Sequence, residues 1–407
     1  MRKLFFVVLV VALAVSMALP AVAQDEFVFG MVLVGPQNDR GWSQAHYEAG
    51  QYVEANLPGA RMLVFESLNP ADAPETTLLQ VATEMVDQGA KLIITSSDAF
   101  EEDTDVVAEA FPDVVFINSS GDNAFTGEAP ANVGNTMGQM EWGKLIAGCA
   151  AGLTTETGSI GYLGPLINGE TRRLAASAYL GARHCYETYK GGDPANLTFT
   201  VTWIGFWFNI PGVTLDPTEE VNSFFDNGAD VAMSGIDTPE VMTVAGQRAG
   251  RGEAVHGVAY DYAAGCDISP EICLGVPYFN WGPSYLDIAS RVMDGSYTQE
   301  WTWFGPDWAD LNNPDTSGVG FVVGDGLSEE NAQHLDDFIA SLAAFAEEHP
   351  DENGLPTAIG LWEGPLALQD GTVLAAEGEL VMPIEKDNPL TIWYLPQLLE
   401  GMVGASE

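Results

Sequence analysis

A strand–helix–strand rhythm that runs twice through the chain limits its fold more than any other feature. The short apolar runs "FVFGMVLV" (27–34), "RMLVFE" (61–66), "KLIITSS" (91–97) and "DVVFINSS" (113–120) read as buried strands. Amphipathic stretches separate them. Trp42, Ala45, Ala49 and Val53 share one helical face, and Leu78, Leu79, Ala82, Met85 and Val86 share another, with Pro74 suited to a first turn. A second series follows: strands at "GSIGYLG" (158–164), "TFTVTWIG" (198–205), "DVAMSG" (230–235) and "AVHGVAY" (254–260), with helices near 138–152, 170–188, 217–228 and 239–250. This alternation predicts an α/β fold of two doubly wound parallel-sheet lobes, joined by a hinge and separated by a cleft. Residues 24–136 and 278–317 are expected to form the first lobe and 137–277 the second. Residues 318–407 are expected to pack on the outside, with a helix at 329–348 and a final hairpin and helix.

The N-terminus adds a location. Arg2 and Lys3 precede an apolar run from Leu4 to Leu19, and Ala21-Val22-Ala23 follows as a small-residue cleavage pattern. That order reads as a signal peptide over residues 1–23, too short for a transmembrane anchor and without a lipobox cysteine. The protein is therefore expected at the periplasmic or extracellular face of the membrane. The net charge is −44, from 14 basic and 58 acidic residues. So acidic a chain repels phosphate backbones, which argues against nucleic-acid binding. Export permits disulfides. Cys266 and Cys273 enclose a short loop and are expected to pair. Cys149 and Cys185 fall on the apolar stripes of two helices that flank one strand, which allows a second pair. The cysteine spacings and the scattered histidines do not form a metal site, and no cofactor is expected.

In open parallel sheets, ligands lie beyond the carboxyl ends of the strands. The loops at those ends hold Asn38, Asp39 and Trp42; Ser97, Asp98 and Phe100; Trp207; Asp237; Asp261; and, further on, Trp281. Aromatic faces can sandwich a flat ring, and carboxylates accept hydrogen bonds from its amino groups or from sugar hydroxyls. Each residue also has a structural reading. Trp42 and Trp207 could be packing residues, and Asp39, Asp98 and Asp237 could cap the helices that follow them. Nucleophile elbow, phosphate loop and zinc-protease motifs are missing. A glycosidase could use paired carboxylates, but acidic loops recurring at strand end after strand end fit a binding cleft better.

"MVLVGPQNDRGWSQAHYEAG" (31–50) resembles the first strand, loop and helix of the basic membrane protein family, the substrate-binding proteins of ATP-binding-cassette importers. Gly35, Pro36, Asp39, Gly41, Trp42 and His46 fill that family's pattern after strand one. "KLIITSSDAFEEDTDVVAEAFPDVVFINSSG", "VTWIGFWFNI", "NWGPSYLDIASRVMDGSYTQEWTWFG" and "LWEGPLALQDGTVLAAEGE" resemble later family segments, so the likeness runs from about residue 27 to about 380. The resemblance implies a type I periplasmic-binding-protein fold and a monomeric, non-enzymatic binder. Such a binder takes up a purine base or nucleoside and delivers it to a membrane permease. Carried over, the aromatic candidates are Trp42, Phe100, Trp207 and Trp281, and the polar ones are Asn38, Asp39, Ser97, Asp98, Asp237 and Asp261. The nucleoside-binding branch keeps a lysine near the ribose, and the later lobe-crossing region here shows no counterpart, so a free base such as adenine fits equally well. A sugar-binding protein of the same fold is the nearest alternative, and a secreted glycoside hydrolase is the alternative of another class.

Overall fold

The computed structural model describes residues 26–407, so the expected signal peptide lies outside the described residues. In chain order the first lobe begins with β1 (Phe27–Val32), α1 (Trp42–Asn56), β2 (Ala60–Phe65), α2 (Leu78–Asp87), β3 (Ala90–Thr95), α3 (Glu101–Ala110), β4 (Val115–Asn118), α4 (Asn123–Thr126) and β5 (Val133–Gly138). The chain then crosses through α5 (Met140–Thr154) to β6 (Ser159–Gly164), α6 (Gly169–Thr188), β7 (Thr198–Trp203), α7 (Pro217–Asp226), β8 (Val231–Ser234), α8 (Glu240–Ala249), β9 (His256–Val258) and β10 (Cys273–Phe279). It returns with α9 (Gly282–Asp294) and β11 (Trp301–Phe304), and crosses again into β12 (Val319–Val323). The remainder is α10 (Glu329–Glu348), the small pair β13 (Leu366–Ala367) and β14 (Val373–Ala375), and β15 (Met402–Val403).

Two sheets result. The first has six strands in the order β11-β5-β4-β3-β1-β2, and every pairing in it is parallel. The second has seven, in the order β12-β10-β9-β8-β6-β7-β15, with only the β10–β12 pairing antiparallel. Helices cover the faces of the central strands. The six residues of β1 are accordingly all buried, which is why they read as an unbroken apolar run rather than an alternating one. Among the described residues no helix is long and apolar enough to cross a membrane.

Three boundaries differ from the sequence reading. β10 extends the second sheet to Phe279, so the chain leaves that sheet two residues later than 277. β12 and β15, both in the segment expected to pack outside, are strands of the second sheet. No helix follows α10 among the described residues; the chain after it is turns, short strands and extended segments.

The helix pair α5 and α6 sets the position of the site. A Cβ on Gly148 would lie 1.9 Å from the Ala178 carbonyl oxygen, and one on Gly181 2.0 Å from that of Leu145. Only glycine lets the two backbones approach so closely. Cys149 of α5 is bonded to Cys185 of α6 across this contact, and Cys266 is bonded to Cys273. The N-terminus of α6 is thereby fixed at the cleft.

Candidate functional site

Trp42 is the first residue of α1. Asp39 holds that end of the helix by accepting hydrogen bonds from the backbone N–H groups of Gly41 (2.9 Å), Ser43 (2.9 Å) and Gln44 (3.0 Å). The Trp42 indole Nε1 donates to the Ser96 carbonyl at 2.6 Å. Its ring rests edge-on against Phe279 and Trp281, at centroid distances of 5.3 and 5.4 Å. Below it His46 stacks on Trp281 at 4.4 Å, and its Nδ1 pairs with the Tyr285 hydroxyl at 2.6 Å. This aromatic pile locks the orientation of Trp42.

Ser97 and Asp98 follow β3, where Ser97 Oγ accepts from the Ala99 N–H at 3.2 Å. Ser120 follows β4. Opposite them, in the second lobe, stand Glu170 in the first turn of α6, Trp207 after β7 and Asp237 after β8. Asp237 and Trp207 are tied by a backbone hydrogen bond of 3.0 Å from the Asp237 N–H to the Trp207 carbonyl. Trp42, Ser97, Asp98, Ser120, Glu170, Trp207 and Asp237 converge on one small cavity between the lobes, with a volume of about 10 Å³ for the centre of a water-sized sphere. The space is closed down to room for about one water, so the lobes must part to admit a larger guest.

The lining is acidic and has no basic side chain. Burial, reinforced by the charge of Glu170, pushes the Asp98 carboxyl up to about 6. Burial also raises Asp237 well above the usual carboxylate range, with further contributions from Asp261, Asp39, Glu170 and Asp98. Glu170 is raised by burial, while Arg173 beside it works in the opposite direction. Arg173 is itself buried, with its Nε 2.6 Å from Glu141 and its Nη2 3.9 Å from Glu170. The Trp207 indole N–H is buried and lies near Asp98, whose charged form it favours, without a well-formed hydrogen bond. The cavity thus presents two indoles, three carboxylates, two hydroxyls and one N–H donor. Among the described residues no group of His, Cys, Asp and Glu side chains could hold a metal ion.

The other expected residues lie elsewhere. Asn38 is exposed, and Asp39 is engaged in capping α1. Phe100 lines a separate apolar groove with Leu68, Leu78, Val107 and Phe206, because its turn carries it to the far side of Asp98. Trp281 is fully buried and buttresses Trp42. Asp261 is fully buried at φ 70°, with neither carboxylate oxygen bonded. Burial raises its pKa and the charge of Lys144 opposes that rise. Lys144 of α5 is buried too, its ammonium donating to the Ser234 carbonyl at 2.7 Å and lying 3.2 Å from the centre of the Tyr260 ring.

Sequence reasoning missed Ser120, Asn168 and Glu170. The rule that found the other residues applies equally to them, since Ser120 follows β4 and "INGE" follows β6. Asn168 and Thr171 also form a reciprocal cap at the start of α6, a pattern visible in the sequence.

Residues 27–195 match the sequence profile of the Bmp family, described as ABC transporter substrate-binding protein, PnrA-like. This part of the chain is similar to the Bmp family. A purine-binding protein of Brucella abortus is 26% identical over 284 residues, which is 70% of this chain and 73% of the relative. A proposed ABC transporter glucose-binding protein of Haloferax volcanii is 29% identical over 274 residues, 67% of this chain and 63% of the relative. Among solved structures, a solute-binding protein of an ABC transporter system from Aeropyrum pernix has a TM-score of 0.62 at 13% identity, covering 92% of this chain and all of that one. One from Conexibacter woesei has a TM-score of 0.56 at 19% identity, covering 81% of this chain and 99% of that one. These two share the fold of this protein, a type I periplasmic-binding-protein architecture. The family is one of transporter substrate-binding components.

Proposed function

We propose that this protein is a Bmp-type substrate-binding protein that works outside the cytoplasm as a monomer. It captures a purine base or nucleoside in the cleft between its lobes, which part to admit it, and delivers it to the membrane permease of an ATP-driven importer. The observation that carries this reading is that Trp42 of the first lobe and Trp207 of the second line the same cavity. Indole faces bind flat rings, and stacking of a base on an aromatic side chain contributes about 1–3 kcal/mol. Asp98, Glu170 and Asp237 supply acceptors for ring amino groups and hydroxyls, and the Trp207 N–H supplies a donor for a ring nitrogen. A lining without lysine or arginine disfavours phosphorylated nucleotides. The purine-binding relative agrees with this choice.

The test is a thermal-shift screen with adenine, adenosine, guanosine and glucose, followed by calorimetry. A purine is expected to bind without turnover. Trp207→Ala is expected to weaken that binding at least about tenfold, equivalent to ~1.4 kcal/mol. Unchanged affinity in a folded variant would reduce Trp207 to a packing residue. A second reading, a hexose in the same cleft, draws on the glucose-binding relative, because tryptophans and carboxylates also bind sugars. Glucose binding without purine binding would replace the first reading with it.

A further inference from the structure

Two of the carboxylates that line the cavity also join the lobes. Asp98, in the first lobe, accepts a hydrogen bond at 3.0 Å from the Nδ2 of Asn168, in the second. Ser120, in the first lobe, donates at 2.8 Å to Glu170 Oε2, in the second. Asn168 is well placed for this role because its amide is divided between two tasks. Its Oδ1 accepts from the Thr171 N–H at 2.9 Å and so caps α6, while its own N–H donates to Thr171 Oγ1 at 3.1 Å. The Nδ2 is left pointing across the cleft with a fixed orientation. Asp98 therefore meets the positive end of the dipole of a helix of 20 residues as well as an amide donor.

We infer that Asn168 and Ser120 are positioning residues: they hold Asp98 and Glu170 in their ligand-facing orientations and, by the same hydrogen bonds, latch the two lobes together. This inference rests on the reading of the cavity as a ligand clamp but not on the identity of the ligand. It makes ligand selection and closure one event. A guest that turned Asp98 or Glu170 away from the cavity would break the latch, whereas a guest that donates to their remaining lone pairs leaves it intact. Both bonds are charge-assisted and partly or fully buried, which places them among the stronger hydrogen bonds. They have two outer neighbours on the same closing surface. The Tyr262 hydroxyl donates to Glu48 at 3.0 Å, and the backbone of Gly41 packs on the Asp237 carbonyl.

The experiment is single-molecule energy transfer between dyes on the outer faces of the two lobes, in protein without ligand and in protein saturated with adenine. Asn168→Asp keeps the helix cap, because aspartate is an equally good capping residue. It replaces the donor that faces Asp98 with a like charge, so the closed-to-open ratio is expected to fall at least about tenfold without ligand. The double variant Asp98→Asn with Asn168→Asp restores a donor and an acceptor with the roles reversed, and is expected to recover the ratio. Circular dichroism of both variants should match the parent protein. A closed population in Asn168→Asp equal to that of the parent would overturn the latch. So would a double variant that stays as open as the single one. A parent protein with no measurable closed population without ligand would also overturn it, since two bonds between protein side chains need no ligand to form. Failure of adenine to bind would count against the purine reading alone, because the latch is read in protein without ligand.

Discussion

Gly41→Ala should keep the lobes apart without unfolding either one. Gly41 precedes α1 in the first lobe, and a Cβ built there would lie 1.7 Å from the Asp237 carbonyl oxygen of the second lobe. Ordinary contacts begin at 3.4 Å, so the methyl group would require the surfaces to part by about the difference, 1.7 Å. The colliding atom is backbone, fixed by the bond from the Asp237 N–H to the Trp207 carbonyl, and cannot turn aside as a flexible side chain would. A separation of that size would take the 3.0 Å Asn168–Asp98 and 2.8 Å Ser120–Glu170 bonds beyond hydrogen-bonding range. Hydrogen bonds to charged groups contribute ~1.5–3 kcal/mol each, so closure should weaken by on the order of 3 kcal/mol, roughly a hundredfold in the closed-to-open ratio. Energy transfer between the lobes reads the ratio directly, and thermal melting reports whether each lobe remains intact. A Gly41→Ala protein that closes to the parent distance with the parent ratio would refute the close approach on which this calculation depends.

Further outcomes follow from the buried groups and the crosslinks. Replacing Cys149 and Cys185 together with alanine frees a loop of sequence separation 36, for which chain entropy gives a loss of about 4 kcal/mol, readable in urea denaturation. A variant within 1 kcal/mol of the parent would show that the glycine-mediated helix contact is sufficient alone. For Asp98 the carboxyl is pushed up to about 6 from an ordinary 3.8, so between those values the native protein holds a proton that the unfolded chain has released. Native stability should therefore fall as pH rises through that window, by on the order of 3 kcal/mol from this group, and the loss is complete above pH 6. Asp98→Asn should flatten this part of the profile, and parallel melting curves for parent and variant between pH 4 and 7 would contradict the assignment.

Most of the scaffold was legible because its strands are buried on both faces and its helices are amphipathic. α10 shows this well, with Ser328 capping the N–H of Asn331 and the helix ending at Glu348. β5 was missed because "VGNTMG" is short, glycine-containing and polar, although all of its residues are buried by the strands on either side. β12 and β15 were missed for a different reason. Their places are set by which edge of the second sheet remains open, and that is decided by tertiary packing. Residue type misled at the site in the same way. Asp39 and Phe100 have the right chemistry in the right loop, but one is consumed by the α1 N-terminus and the other is turned into a neighbouring groove. Glu170 and Ser120 were accessible to the strand-end rule, since the loops after β6 and β4 end as close to the cleft as those that were read.

The C-terminal segment joins the two lobes on one side of the cleft. Trp393 packs against Trp301 and Trp303 of β11 in the first lobe, at 4.7 and 4.9 Å, and its Nε1 donates to Asp122 at 3.1 Å. In the second lobe the Arg173 guanidinium lies 4.0 Å from the centre of the Trp393 ring, and Arg172 donates to the carbonyls of Leu395 (2.7 Å) and Ser406 (2.9 Å). The segment ends as a strand paired with β7. It therefore adds a buried, largely aromatic bridge to the three covalent crossings between the sheets. The surfaces carrying Gly41, Asp98 and Ser120 are joined to their partners across the cleft by backbone contact and single polar bonds. Separating aromatic surface from its packing costs more than exchanging a hydrogen bond with water. Opening is therefore expected to pivot on the tail side and part the Gly41 side, and energy transfer between dye pairs placed on each side would show a larger change on the Gly41 side.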